Sequence, residues 1–491
     1  MTNDFKSPHV DDRRDFGRLV RRVGEAMTKH LNDRPTMPVD YSEVPAEIRR
    51  ELGYLPLPAD GMGPDEILTI IEDKIMPWSM PTNHPRSYAW VNTSPAPISI
   101  LSEGLARTLN NVQDGYDRSS TLLMQSLGRW LMELSGFIDE EGTPNGMAIL
   151  LAGGSAANLN ALTVARHWAA KRDGWNVREE GLQNNRPAMI YYTSAEAHSS
   201  VQLCVEQIGI GASNLRLVET DANFRMRPDA LRAAIEADVA QGLSPTCVVA
   251  SVGGTNVGAI DPVGDIADVC ETFDLWLHVD GAYGGIVGLD PAYTQMTSAL
   301  NRVNSLTLDP HKWLQVPLDC GALLVRDRQL NYENYTLVPD YLRASSGEDD
   351  STLWSQEYMF ELTFADRTVK TWAAIARLGR DGVRDMVVNC NNMARLLGEI
   401  VEGANDLELL APVSVSTVNF RYVPSGSDVS LDTLNQAISD DIANSGEAHI
   451  PTTKVNGAES LRACFLHYEN CEDDVQHLVA LVRKFGERHT G

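Results

Sequence analysis

TCVVASVGGTNVGAIDPVGDIADVCETFDLWLHVDGAYGG, residues 246–285, contains two short apolar runs separated by a helix-sized segment, and the second run ends in an acid followed by small residues. TCVVASV (246–252) and LWLHVD (275–280) are too continuously apolar for a strand with one wet face, and VGDIADVCETF between them is long enough for a crossover helix. Strand, helix and strand in that order imply parallel pairing. The same alternation extends outward on both sides. AMIYYTS (188–194) and NLRLVET (214–220) precede it, with PDALRAAIEADVAQG next, while SLTLD (305–309) and GALLVRD (321–327) come after. The last two runs are too close for a helical crossover, so a hairpin or local irregularity is expected there. With helices expected around 98–112, 121–136 and 155–171, residues 94–370 read as one large α/β domain, three-layered with a mainly parallel sheet.

The flanks read differently. Residues 1–93 begin with an amphipathic helix over 11–31, carrying Phe16, Leu19, Val20, Val23, Met27 and Leu31 at helical spacing. A proline- and turn-rich stretch with a short helix over 65–75 comes next; it has little core of its own and is expected to wrap another domain or subunit. Residues 334–370 include an acidic, serine-rich stretch read as a mobile loop. From 371 to 491 come a long helix, a strand over 415–423, a helix over 431–445, a strand over 460–468 and a terminal helix, a small C-terminal α+β domain.

Composition narrows the function classes. A net charge of −26, from 67 acidic against 41 basic residues, argues against nucleic-acid or anionic-membrane partners but not against an anionic ligand held by local N–H groups. The seven cysteines form no CxxC pair, which suits free thiols in a reducing compartment and no metal site. The charged N-terminus has no apolar signal core, and the apolar stretch at 147–169 is interrupted by polar residues, so cytoplasmic residence is expected.

LHVDGAYGG (277–285) places Asp280 at the carboxyl end of a strand, where open α/β sheets bind ligands, and LTLDPHKWLQVPLDCGA (306–322) brings Lys312 to the same crevice after another strand. One acid and one lysine do not specify a reaction. Pyridoxal 5'-phosphate explains both, since it needs a lysine for covalent attachment, an acid at its ring nitrogen and donors for its phosphate. LLAGGSAANLNAL (150–162) offers those donors where GlyGlySer opens a helix. TSAEAHSSVQ (193–202) sets His198 after a strand, and SVGGTNVGAIDP (251–262) adds close-approach glycines and Thr255.

Taken together and in order, GGSAAN, AHSS, GGTNVGAIDP, HVDGAYGG and DPHKWL resemble the group II pyridoxal-phosphate-dependent decarboxylases, the family of aromatic L-amino acid, histidine and glutamate decarboxylases. The resemblance runs from NHPRSYAW (83–90) to LRACFLHY (461–468). It implies an aspartate-aminotransferase-like fold (fold type I), a homodimer with shared active sites, and an amino acid as substrate. By position it makes Lys312 the attachment lysine, His311 a cofactor-holding histidine, Asp280 the acid on the ring nitrogen, Ala282 the small residue under the ring and His198 the histidine stacked on its other face. Gly154, Ser155 and Asp309 fall at or beside phosphate positions, and Thr255 lies close to the cofactor. Asp309 is unexpected beside a phosphate unless neutralised or turned away.

The chain departs from the family pattern in two places. Relatives use a loop tyrosine to return a proton to the substrate carbon; here ASSGEDDSTLWSQEYMF (344–360) has Ser351 in that place, leaving Tyr358 as the candidate under a shifted register and Tyr341 as the poorer one. Relatives with phenylalanine there can yield an aldehyde by oxidative decarboxylation. The resemblance also implies a substrate pocket at AWVNTSPAP (89–97), with Trp90, Val91, Asn92, Thr93 and Leu318, facing a partner segment matching NNVQDGYDRSS (110–120). That set suits an aromatic side chain slightly better than an acidic one, for which Arg86 or Arg118 would be the partner. The leading expectation is decarboxylation of an L-amino acid to its amine; an aldehyde synthase, an acidic amino acid decarboxylase and a carbon–carbon lyase are the alternatives.

Overall fold

The computed structural model describes residues 9–39, 43–80, 82–110, 118–337, 355–426 and 429–490. Seven strands, β1 (Met147–Leu151), β2 (Met189–Ser194), β3 (Leu215–Val218), β4 (Ser244–Ser251), β5 (Trp276–Asp280), β6 (Ser305–Leu308) and β7 (Gly321–Val325), form one sheet in the order β1-β7-β6-β5-β4-β2-β3. The neighbours from β6 to β3 pair in parallel, whereas β7 runs antiparallel to both β1 and β6. The short link between β6 and β7 thus forms an antiparallel return, as the spacing requires.

Burial on both faces explains the continuous apolar runs. In β7, Ala322 and Leu324 join a cluster with Leu127 and Leu131 of the helix Ser119–Ser135 and Val263 and Ile266 of the helix Val263–Phe273. Leu323 and Val325 point the other way, into a cluster with Ala161, Leu162 and Val164 of the helix Gly154–Arg172 and Val201 and Val205 of Ser199–Gln207. This is the expected three-layer domain, and each fully buried Leu, Ile or Val contributes roughly 1.5–3 kcal/mol to it.

The C-terminal unit is a second sheet of β8 (Leu407–Leu409), β9 (Thr417–Tyr422), β10 (Thr452–Val455) and β11 (Ala458–Cys464), antiparallel throughout in the order β10-β11-β9-β8. Its core packs Phe420, Leu461 and Phe465 against Ile438 of Leu431–Ser445 and Leu478 and Val482 of Glu472–Thr490. The long helix Thr368–Glu402 is broken at Gly379, whose φ of 66° only glycine adopts cheaply, so it is two helices rather than the single one expected.

The N-terminal helix His9–Asp33 buries no residue and is tied to the helix Pro64–Ile70 and the turn after it by Arg18–Asp65 and Arg22–Glu72 ion pairs. The stretch before residue 94 is bound to the small unit: the Tyr88 N–H donates to the His449 carbonyl (2.8 Å), and the Cys464 N–H donates to the Tyr88 carbonyl (3.1 Å). From β11, Arg462 donates to the carbonyls of Thr255 (2.6 Å) and Asn256 (3.0 Å), tying the small unit to a loop of the large one. Among the described residues no helix is long and apolar enough to cross a membrane.

Candidate active site

The carboxyl ends of β2, β4, β5 and β6 meet the Gly153–Ser155 turn around a cavity of about 400 Å³. Its walls carry Gly154, Ser155, His198, Thr255, Asp280, Ala282, Asp309, His311 and Lys312, so nine residues named from separate sequence blocks share one site. This is the crevice beyond the strand ends where open α/β sheets take ligands.

The turn is built for a backbone-donor cradle. Gly153, at φ 152°, precedes the helix Gly154–Arg172, and a Cβ on Gly154 would sit 2.9 Å from Asp309 Oδ2 and 3.1 Å from Ala282 Cβ. A side chain at Gly154 would therefore collide with Asp309 and Ala282, so glycine lets the first helical turn, with the N–H groups a helix start leaves without helical partners, pack close against this wall of the cavity.

Asp280 closes β5. Its Oδ1 accepts from the Ala282 N–H (3.1 Å) and its Oδ2 from Asn158 Nδ2 (2.8 Å). Behind it, burial pushes the His278 imidazole down to about 4 and keeps it neutral. His198 caps the helix Ser199–Gln207: its Nδ1 accepts from the Ser200 N–H (3.2 Å), which leaves its ring proton on Nε2.

Lys312 Nζ lies 3.1 Å from Asp309 Oδ2. His311 donates from Nδ1 to the Cys320 carbonyl (2.6 Å), and burial keeps its pKa below the usual histidine value. Its Nε2, 3.6 Å from Asp309 Oδ2, is then an acceptor. Asp309 is buried, and its Oδ1 is without a hydrogen-bond partner among the described residues. While the Lys312 amine is free, the acid beside the cradle is thus paired with it. A lysine, a strand-end acid and a helix N-terminus converging on one cavity fit pyridoxal 5'-phosphate.

A second cavity of about 300 Å³ shares His311 with the first and is lined by Asn92, Thr93 and Leu318, together with His30, Arg34 and Asn83. The last three were missed in the sequence, because the end of an N-terminal helix reaches this wall only through the tertiary fold. Two expected pocket residues are elsewhere. Val91 is packed in the large core cluster, and Trp90, at φ 55°, turns its ring against His449 (5.9 Å).

Arg86 is not brought to either cavity, since it pairs with Asp474 (3.1 Å), nor is Arg118, which precedes the helix Ser119–Ser135. Tyr358 also stays away: it is buried, its hydroxyl accepts from Arg328 Nε (2.9 Å) and its ring packs on Tyr332 (5.7 Å). In this placement it has a packing role, and the expectation of Tyr358 as proton donor gains no support. Tyr341, Ser351, Trp354 and residues 111–117 lie outside the described residues.

Comparison with known proteins agrees with this geometry. Residues 51–423 match the family model described as the pyridoxal-dependent decarboxylase conserved domain. The chain is 27% identical to an aromatic-L-amino-acid decarboxylase of Bacillus atrophaeus, over 95% of each chain. It is 28% identical to an L-2,4-diaminobutyrate decarboxylase of Acinetobacter baumannii, over 90% of this chain and 88% of the relative. Its fold superposes on the crystal structure of Catharanthus roseus tryptophan decarboxylase in complex with L-tryptophan with a TM-score of 0.86, at 25% identity and covering 97% of this chain and 98% of the other. With a site that fits the cofactor and a family match across most of its length, the chain belongs to the pyridoxal-dependent decarboxylases and is a pyridoxal-phosphate carboxy-lyase acting on an amino acid.

Proposed function

We propose that this chain removes the α-carboxylate of an L-amino acid, aromatic substrates ahead of acidic ones, to give the amine and carbon dioxide at the cavity between Lys312 and Asp280. The observation that carries this is the convergence of Lys312, Asp280 and His198 on the helix N-terminus at Gly154. When bound, the cofactor supplies an electron-accepting ring for the pair left behind as carbon dioxide departs. Lys312 is the amine that holds it covalently. Asp280, at the end of β5, would keep the ring nitrogen protonated. Ala282, His198 and Thr255 line the space the ring would occupy. The N–H groups at Gly154 and Ser155 would receive the phosphate, with Asp309 and the neutral His311 imidazole beside them.

Aromatic substrates are favoured by the Bacillus atrophaeus relative and the tryptophan-bound neighbour. A polar or acidic side chain is the second reading, favoured by His30, Arg34, Asn83 and Asn92 around the second cavity. Aerobic incubation of the loaded enzyme with aromatic, acidic and basic L-amino acids, following carbon dioxide, amine, aldehyde and peroxide, decides between them. Amine equal to carbon dioxide is the expected result. Aldehyde with peroxide would replace it by the oxidative reaction, and no carbon dioxide from any substrate would remove the decarboxylase reading.

The same reading places the enzyme in the cytoplasm, in keeping with its seven free cysteines, and makes it a homodimer. The helix Pro97–Leu109 leaves Leu101, Leu105 and Leu109 exposed at helical spacing, and Leu122, Phe16 and Val20 are exposed on other helices. The exposed leucine stripe of Pro97–Leu109 suits a second copy. Leu105→Glu is expected to convert a dimer into a monomer in sedimentation velocity; an unchanged mass would reject this face as the interface.

A further inference from the structure

We propose that Asn158, on the helix behind the cradle, is a positioning residue that orients the Asp280 carboxylate through one fully satisfied buried amide; this rests on the reading of Asp280 as the acid at the ring nitrogen. Asn158 is 1% exposed on a buried helix face, where an amide is tolerated only if its hydrogen bonds are made. All four are made. Nδ2 donates to Asp280 Oδ2 (2.8 Å) and to Ser200 Oγ (3.2 Å), while Oδ1 accepts from Thr307 Oγ1 (2.7 Å) and His278 Nε2 (3.1 Å).

The direction of each bond is set by the chemistry at the two ends. The Trp276 indole can only donate, and its Nε1–H goes to Ser305 Oγ (2.9 Å). The Ser305 hydroxyl is then free to donate to His278 Nδ1 (2.8 Å), which puts the imidazole proton on Nε2, facing Asn158 Oδ1. An ionised carboxylate can only accept, so the NH₂ end of Asn158 must face Asp280. From Trp276 to Asp280 every proton points the same way, and bonds in such a chain reinforce one another. With the amide flipped, Oδ1 would oppose the carboxylate, and the Thr307 and His278 donors would lose their acceptor.

The groups facing Asp280 make position 158 decisive. On its own strand stands the neutral His278; from Ser199–Gln207 comes Cys204, whose thiol burial and the Asp280 charge push up to about 12; His198, Lys312, His311 and Asp309 share the cavity. A carboxylate at position 158 would be a like charge in direct contact with Asp280, and the pair would have to share a proton.

The test uses the reconstituted holoenzyme, with Asn158→Asp as the isosteric variant and Asp280→Asn as the reference. Cofactor dissociation constant, absorption of the bound cofactor across pH, and the pH profile of kcat/KM are read for each. Like charge raises the pH at which Asp280 becomes ionised, so the acidic limb of Asn158→Asp is expected to move up by at least about one pH unit. Its cofactor affinity is expected to fall about tenfold or more, and its spectrum to shift in the direction of Asp280→Asn. Wild-type values for all three in a folded Asn158→Asp, with Asp280→Asn perturbed, would overturn the inference and leave the reading of Asp280 intact. An Asp280→Asn protein that binds cofactor and absorbs like wild type would overturn both. If Asn158→Asp does not fold, Thr307→Val decides: loss of one orienting donor should move the limb and the spectrum the same way by less, and no movement counts against the inference.

Discussion

Lys312→Ala is expected to lose at least ~10³-fold in kcat and to incorporate no cofactor on borohydride reduction, whereas the wild-type protein is labelled on the peptide carrying Lys312. In the proposed role the amine is the point of attachment and lies where it could also carry a proton, and a positioned proton-transfer group alone typically contributes ~10²–10⁴-fold. The substitution also removes the partner of Asp309, which is buried with its carboxylate 3.1 Å from the ammonium. Lys312→Arg separates the two effects, because it keeps a positive charge near Asp309 but cannot form the attachment. Activity in Lys312→Ala within tenfold of wild type would reject the site.

Gly321→Ala carries the largest structural effect. Gly321 pairs with Leu151 where β7 meets β1, and a Cβ there would fall 2.5 Å from Gly153 Cα and 2.7 Å from its carbonyl oxygen. These are backbone atoms of the cradle turn, so no side chain can swing aside. Overpacking of this kind costs roughly 1–3 kcal/mol, and relief by moving Gly153 would spoil the cradle. The expected outcome is a lower melting temperature for the unloaded protein together with weaker cofactor binding. An unchanged melting temperature and dissociation constant would show that β7 and the turn have slack.

Local pattern accounts for the parts of the fold that were legible in the sequence. Continuous apolar runs exposed the buried parallel strands, and the short gap before GALLVRD signalled the antiparallel return of β7. Short β8 and β10 were missed because a few mixed-polarity residues carry no period, and the break at Gly379 because one glycine inside a long amphipathic pattern is usually tolerated. Asp280, Lys312, His198, Thr255 and the glycine turn were legible from strand ends and a helix start, whereas Ala282, Asp309 and His311 followed only from the family resemblance. Asn158 was not legible, since with Asn160 it reads only as an amide interrupting an apolar stretch; a signal was present in its place one turn after Gly154, at the buried start of the cradle helix. His30, Arg34 and Asn83 reach the second cavity by tertiary contact alone.

Arg462 has a consequence for how the enzyme is made. Lys312, Asp280 and the Gly153–Ser155 turn leave the ribosome first, but the guanidinium that fastens Thr255 and Asn256 belongs to β11, which is translated well after them. A nascent chain halted before β11 would carry every residue expected to touch the cofactor and still lack the bolt across that loop. A chain ending before β11 is therefore expected to hold the Thr255 loop less firmly and to bind the cofactor more weakly than the full chain.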